Sequence, residues 1–563
     1  MTTTLDAPAA TVATARTTHR RARSDRSVPW ALFGVALAGY ASTAAAGPTE
    51  WDSVSLMFGV DRFDVTQASP HSPGYWLYVF AGRAIRAVTP LGTHDSLVAA
   101  AALAAAATVA LVYVLGRSLA GRWLGLAAAA VLFTSPFLAF YGSSVSSYAF
   151  DALASVVLLL LAWRAYPGSW HGIGAAGALG LAAGVRQSSI VLLGTLALVA
   201  AVRSVRSVRA ATTALGAGLA GLAVWAIPMA LEQPGGLGVV RDDSARVWRE
   251  AVTVSSPLYG APAEGVRYNL GQAAGYTLVA VALLLPIASA ALVLHLRRRA
   301  RDRGQELDGG APPAGRLRPR ERLLTAPVLL TLAAVPPFLF VALFHFGKAG
   351  YVLSYLPALV LLLLWPAARL PHRLRLALSV GVALACLVQG QRFVQGDPGI
   401  LPGRLTERGP WFTQSRFGAP YRLTTAAMGD VVEDTQRYAA LARVFDPRRD
   451  VLVYVHMNGG HRFRHAMLTF PQFRAHLLQG EFHEYSARAR RWDHERDHQV
   501  ELAPGARAVL VVDEPRAEVL DLVGRGVGRA VQLPTGPMVY VVPAGVTVYG
   551  VPLVTDASLE NKA

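Results

Sequence analysis

A series of Leu-, Ala- and Val-rich runs, each near twenty residues long and almost free of charge, limits this chain more than any other feature. About twenty such residues in a helix span a hydrocarbon core, and backbone groups in lipid have no water to satisfy them outside a helix or a closed barrel. Eleven runs fit, at 28–46, 95–116, 122–141, 146–164, 170–185, 188–202, 210–231, 272–296, 324–344, 349–367 and 374–390. They predict an α-helical polytopic membrane protein with about eleven transmembrane helices.

The arginines orient it. Arg20, Arg21 and Arg23 precede the first run, Arg117 and Arg122 follow the second, and Arg203, Arg206 and Arg209 follow the sixth. Arg297, Arg298 and Arg299 follow the eighth, and Arg369, Arg373 and Arg375 follow the tenth. All fall on one side, which the excess of positive charge in cytoplasmic loops makes the cytoplasmic face. The net charge of +17 therefore points to anionic lipid headgroups. Nucleic acid is not an expected partner, since no helix-turn-helix, RNA-binding or zinc-finger pattern accompanies the charge. One cysteine, Cys386, inside an apolar run excludes an internal disulfide and a cysteine metal site.

Three regions follow. Residues 1–27, rich in Thr, Ala and Arg, read as a disordered cytoplasmic N-terminus, and 28–46 reads as a first span rather than a cleaved signal. Residues 28–390 form the membrane domain, with extracytoplasmic loops 47–94 and 232–271. Residues 391–563 are polar, with short β-rich runs VLVYV (451–455), AVLVV (508–512) and MVYVV (538–542) between amphipathic stretches. They predict an extracytoplasmic α/β domain with its own core. The stretch 297–322 has the Gly, Pro and charge content of a linker.

Chemistry-bearing residues collect on the predicted outer side. Asp52 falls in the first turn of a short helix predicted over 52–59; helix-dipole capping explains a carboxylate there as readily as a general base does. Glu50 is a partner or simply solvated, and Asp61 and Asp64 around Arg62 read as a local ion-paired turn. Pro70 and Pro73 bracket His71, a structural histidine or a phosphate or metal contact. Beyond Gly74, residues Tyr75, Trp76, Tyr78 and Phe80 start a helix predicted to lie in the interface with Arg83 and Arg86 opposite its apolar face. Arg186 closes the fifth run in GVRQSS, where a guanidinium matches a phosphate bidentately or snorkels to headgroups. Lys348 is one of two lysines in the chain, in GKAGYVLSYLPAL, with His345, Tyr351 and Tyr355 nearby. An ammonium there suits a phosphate as a point charge. Asp151, beside Tyr148, pairs with one of these cations or makes an ordinary buried polar contact.

The order of WDS at Asp52, PHSPGYWLYVFAGR, GVRQSS and GKAGYVLSYLPAL resembles the GT-C glycosyltransferases, nearest to the bacterial aminoarabinose and protein O-mannosyl transferases, over residues 28–390. The resemblance implies a membrane enzyme that takes a sugar from a polyprenyl-phosphate donor, usually with inversion, onto a glycan, lipid or protein acceptor. It places Asp52 as the base, His71 near the donor phosphate, and Arg186 and Lys348 as further phosphate contacts. Two departures stand out. Ser53 follows Asp52 where relatives carry a second acid, which leaves a divalent metal open and no cofactor assigned; Ser72 splits the usual Pro-Pro pair. A transporter or flippase of lipid-linked glycans would share the cations and an apolar groove, but the internal repeats and broken helices of a transporter are not evident in the sequence. A third reading makes the tail a ligand-binding domain on a membrane anchor.

Overall fold

Each apolar run is helical in the computed structural model, which describes residues 10–308, 325–344, 348–395, 423–454, 463–478, 499–512, 515–534 and 536–562. The first helix, α1 (Ala10–Ser42), runs back through the segment expected to be disordered. From Ala10 to Val28 the sequence has neither Gly nor Pro, and its Ala and Arg residues are good helix formers. Loop 47–94 folds as α2 (Trp51–Asp61), a 3-10 turn (Val65–Gln67) and α3 (Trp76–Val88). The bundle continues with α4 (Thr93–Ala120), α5 (Arg122–Thr134), α6 (Pro136–Gly142), α7 (Tyr148–Arg164), α8 (His171–Val185), α9 (Ser189–Ser204) and α10 (Val208–Glu232). Then come α11 (Gly236–Ser255), α12 (Ala263–Val281), α13 (Leu285–Asp308), α14 (Ala326–Leu343), a 3-10 segment (Ala349–Ser354), α15 (Leu356–Ala368) and α16 (His372–Gln395).

Two of the predicted spans are broken. The run at 122–141 bends by 61° between α5 and α6, and that at 272–296 lies across a 73° bend between α12 and α13. Pro136 and Pro286 stand at the two breaks, where each removes a backbone donor. Among the described residues α4, α10, α14 and α16 are long and apolar enough to cross a membrane singly, and each bent pair makes one span more. Helices α8, α9 and α15 are apolar but shorter. Small residues let α8 and α10 touch backbone to backbone: a Cβ at Gly180 or Gly221 would collide with the facing carbonyls of Gly218 and Gly177. Trp225 Nε1 donates to Gly180 O at 2.9 Å across the same seam.

Loop 47–94 has a core of its own, with Leu56, Phe63, Trp76, Tyr78 and Leu97 buried against Trp225 and Met229. Tyr78 is wholly buried, its hydroxyl donating to Leu97 O at 3.0 Å, while Phe80 is half exposed, so the aromatic face of α3 is divided between core and surface. Arg83 donates to Val60 O and Gly59 O, both at 2.8 Å, and pairs with Glu232. Asp61 pairs with Arg86 at 2.6 Å, and Asp64 caps the 3-10 turn through Thr66 N at 3.1 Å. The DRFD segment is thus structural.

The C-terminal domain contains α17 (Thr425–Tyr438), α18 (Leu441–Val444), α19 (Phe463–Thr469) and α20 (Ala517–Gly524). Its strands are β1 (Asp450–Tyr454), β2 (Ala475–Leu477), β3 (Val500–Leu502), β4 (Arg507–Val511), β5 (Arg529–Gln532), β6 (Met538–Pro543), β7 (Thr547–Val548) and β8 (Val551–Thr555). The main sheet has the order β2-β1-β4-β6-β5, with β1 parallel to β2 and β4, and β6 antiparallel to β4 and β5. A second sheet has the order β3-β8-β7. Val451, Val453, Ala508 and Leu510 fill one face of the main sheet, and Leu452, Tyr454, Val509 and Val511 the other. Burial on both faces explains the unbroken apolar runs. Among the described residues the domain meets the bundle at both α16 and α2. Thr425 Oγ1 donates to Val394 O at 2.8 Å at the end of α16, and α19 rests on α2, with Leu468 packed against the core of loop 47–94.

Candidate active site

The chain order of the site begins at α2, whose first turn carries Asp52 at the positive end of the helix dipole. Ser53 Oγ donates to Val145 O at 2.9 Å and ties that turn to the short segment between α6 and α7. His71 sits in a turn held by two other parts of the chain. Ser72 Oγ donates to the Asp243 carboxylate of α11, and Gln187 Nε2 donates to Pro73 O at 3.1 Å. The peptide bonds before Pro70 and Pro73 are both cis, and Tyr75 adopts a left-handed conformation with φ 47. Lys348 arrives from the other half of the bundle, at the head of the 3-10 segment. A side chain at Gly350 would overlap the Tyr148 ring, so only glycine lets this segment lie against α7.

These elements bring the expected residues together. Lys348 Nζ donates to Asp52 Oδ2 at 3.1 Å, and His71 Nε2 lies 3.7 Å from Asp52 Oδ1. Burial alone would push the Asp52 carboxyl up, but the Lys348 ammonium, His71 and Arg186 together hold it well below the usual carboxylate range. The Lys348 ammonium is likewise disfavoured by burial and held charged by Asp52, so its pKa lies well above the usual lysine range.

Arg186 is 3% exposed. Its guanidinium carbon lies 4.2 Å from the centre of the Tyr148 ring, 4.7 Å from that of Tyr351 and 5.6 Å from that of Tyr75. Three aromatic faces substitute for water around the charge. Nη2 donates to Ser147 Oγ at 3.3 Å, and Nε faces Asp151 Oδ2 at 3.5 Å without making a hydrogen bond. Nε and Nη1 have no hydrogen-bond partner among the described residues. A pocket of about 240 Å³ including its open mouth is lined by Glu50, Asp52, His71, Tyr75, Tyr148 and Arg186, with Val145 to Ser147 on one wall. It joins a carboxylate, buried donor groups and aromatic surface, with Lys348 bonded to its Asp52.

Asp151 is paired with Arg186, as one of its two readings expects, and Tyr351 and Tyr75 serve as walls for the guanidinium. His345 lies outside the described residues. Sequence reasoning missed the wall between α6 and α7, where Ser143, Ser144, Ser146 and Ser147 are all buried. Its signal was GSSVSS, a cluster of hydroxyls between two apolar runs. It also missed Gln187 and Asp243, which position the His71 turn and carry no motif. Among the described residues no three or more His, Cys, Asp or Glu side chains are grouped to hold a metal ion.

No protein-family model matches the chain, and no curated protein matches it by sequence. Solved structures do. The fold is similar to that of ArnT from Cupriavidus metallidurans in the apo state, with a TM-score of 0.54 and 14% identity over 92% of this chain and 98% of that one. It is similar also to the same protein bound to undecaprenyl phosphate, with a TM-score of 0.51 and 15% identity over 92% and 99% of the two chains. The likeness extends over both parts of the molecule, so the chain has an ArnT-like fold: a polytopic helical membrane domain followed by a small α/β domain.

Proposed function

We propose that this protein is a membrane glycosyltransferase that moves a sugar from a polyprenyl-phosphate donor to an acceptor at the outer face of the plasma membrane. The observation that carries the reading is the pocket itself, in which Asp52, Lys348, His71 and a buried, incompletely bonded Arg186 converge. ArnT, similar in fold, binds undecaprenyl phosphate, which supports the same class of donor here.

In this reading the donor phosphate takes the open donors of Arg186 and draws Lys348 toward itself. Losing Lys348 leaves the Asp52 carboxylate more basic, because the ammonium is the strongest influence holding its pKa down. Asp52 then accepts the proton of the acceptor hydroxyl or amide as its heteroatom attacks the anomeric carbon. The bond from that carbon to the phosphate oxygen breaks, and the polyprenyl phosphate leaves with its charge met by Arg186, Lys348 and His71. Attack from the face opposite the phosphate inverts the anomeric centre. Glu50 lines the same pocket as a supporting acid.

Asp52→Asn tests the assignment. Removing a general base costs roughly 10²–10⁴ in rate. Transfer from an undecaprenyl-phosphoryl sugar should therefore collapse while undecaprenyl phosphate still binds, and turnover at the wild-type rate would remove Asp52 from the role.

A further inference from the structure

Helices α13 and α15 pack side by side at the arginine-rich end of the bundle, with Ala291 and Ala367 buried in one cluster between them. Each carries an aromatic ring and, four residues on, an arginine: His295 and Arg299 on α13, Trp365 and Arg369 at the end of α15. That spacing sets each arginine on the helix face of its ring, one turn nearer the membrane surface. The structure joins the two pairs. The His295 and Trp365 rings meet edge to face with centroids 5.7 Å apart, and the Arg369 guanidinium carbon lies 4.9 Å from the centre of the Trp365 ring. Arg299 and Arg369 both lie close enough to act on the charge of His295.

Both guanidiniums are exposed, and among the described residues neither is paired with an acid. The face of Trp365 and the C-terminal dipole of α15 steady Arg369. They leave in place the repulsion between two neighbouring cations, which an anion removes. Beneath the arginines, His295 Nε2 and Trp365 Nε1 are sheltered from solvent without a hydrogen-bond partner among the described residues.

We propose that Arg299 and Arg369, on their His295 and Trp365 platform, bind the phosphate of an anionic phospholipid in the leaflet at this end of the bundle. Arginine and tryptophan side chains only donate, and a guanidinium matches phosphate oxygens in pairs. Basic clefts between membrane helices are suited to such headgroups. The flanking surface selects a lipid over free phosphate. Leu292, His295, Leu296 and Arg299 fall at i, i+3, i+4 and i+7, one face of α13, and both leucines are exposed, so apolar surface for an acyl chain leads directly to the cations. A zwitterionic phospholipid brings a cation of its own beside the phosphate, so two arginines favour an anionic one. The site is distinct from the Asp52 pocket: Trp365 and Arg369 stand at the far end of α15 from the segment that begins at Lys348.

The test measures by native mass spectrometry the lipid retained by the full-length protein, offered phosphatidylglycerol or phosphatidylcholine. Arg299→Gln combined with Arg369→Gln is compared with the wild type and with a control, Arg206→Gln combined with Arg209→Gln, which removes two exposed arginines from another cluster at the same end. The wild type should retain phosphatidylglycerol in preference to phosphatidylcholine. The first variant should weaken that retention roughly thirtyfold, and the control should leave it unchanged. Should the first variant not fold, Arg299→Gln alone should weaken retention about fivefold. Equal losses in the first variant and the control would reduce the site to diffuse surface charge, and equal retention of the two phospholipids would remove it. Displacement of phosphatidylglycerol by inorganic phosphate would make it a site for a soluble anion, and displacement by undecaprenyl phosphate a second polyprenyl site; either result overturns the assignment.

Discussion

Asp52 and Arg186 are two charges made tolerable by opposite means. Asp52 is partly exposed and answered by Lys348 and His71, while Arg186 is buried among tyrosine rings at the pocket wall, with Asp151 as counter-charge. The first arrangement should show in a pH profile. The Asp52 pKa is depressed, so its ionised form persists as pH falls below the usual carboxylate range. Lys348→Met removes the largest favourable influence and raises that pKa, so the acid limb of kcat/KM should move to higher pH; an unmoved limb would separate Asp52 from the rate. The second arrangement should show in stability. Arg186→Ala leaves Asp151 buried without its partner, and breaking a buried pair costs about 3–5 kcal/mol. Arg186→Ala combined with Asp151→Asn should recover much of that loss by denaturation in detergent while transfer stays abolished. Lys348 and Arg186, which the structure brings to one pocket with Asp52, drew notice in the sequence because each breaks a local rule, a lysine in an arginine-rich chain and an arginine where the charge pattern predicts few. Asp243, Gln187 and the buried serines break none, and only the fold brings them to the pocket.

Among the elements, the helices were legible and their breaks were not. A run of Leu and Ala predicts a span whether or not it bends, and Pro136 and Pro286 became breaks because neighbouring helices pack around the two halves. The same holds for the segment after Lys348, expected as the start of a span and found as a 3-10 segment lying on α7. Its position depends on Gly350, where a single methyl would meet the Tyr148 ring. Gly350→Ala should therefore displace both Tyr351 and Lys348 from the pocket. Affinity for undecaprenyl phosphate should fall by at least tenfold with little change in the helical circular dichroism, since the helices themselves are untouched. Wild-type affinity would mean that the segment can shift without moving the cations.

At the scale of the whole molecule, the two domains share one face. Helix α19 of the C-terminal domain rests on α2, the helix that carries Asp52, and Leu468 enters the core beneath it. Whatever side of the membrane holds the tail also holds the pocket, so one measurement orients both. The arginine distribution predicts the outer side: the clusters at Arg20–Arg23, Arg117–Arg122, Arg203–Arg209, Arg297–Arg299 and Arg369–Arg375 all fall on the opposite side of the runs from the pocket, whose own Arg186 and Lys348 are paired with Asp151 and Asp52. A fusion after Pro402 to alkaline phosphatase, active only outside, should therefore be active, and the same fusion to green fluorescent protein should be dark. The reverse pair of results would place Asp52 on the cytoplasmic face. It would leave α2 and α19 in contact, but would force a donor and acceptor made on the inside and overturn the reading of the arginines from the first loop onward.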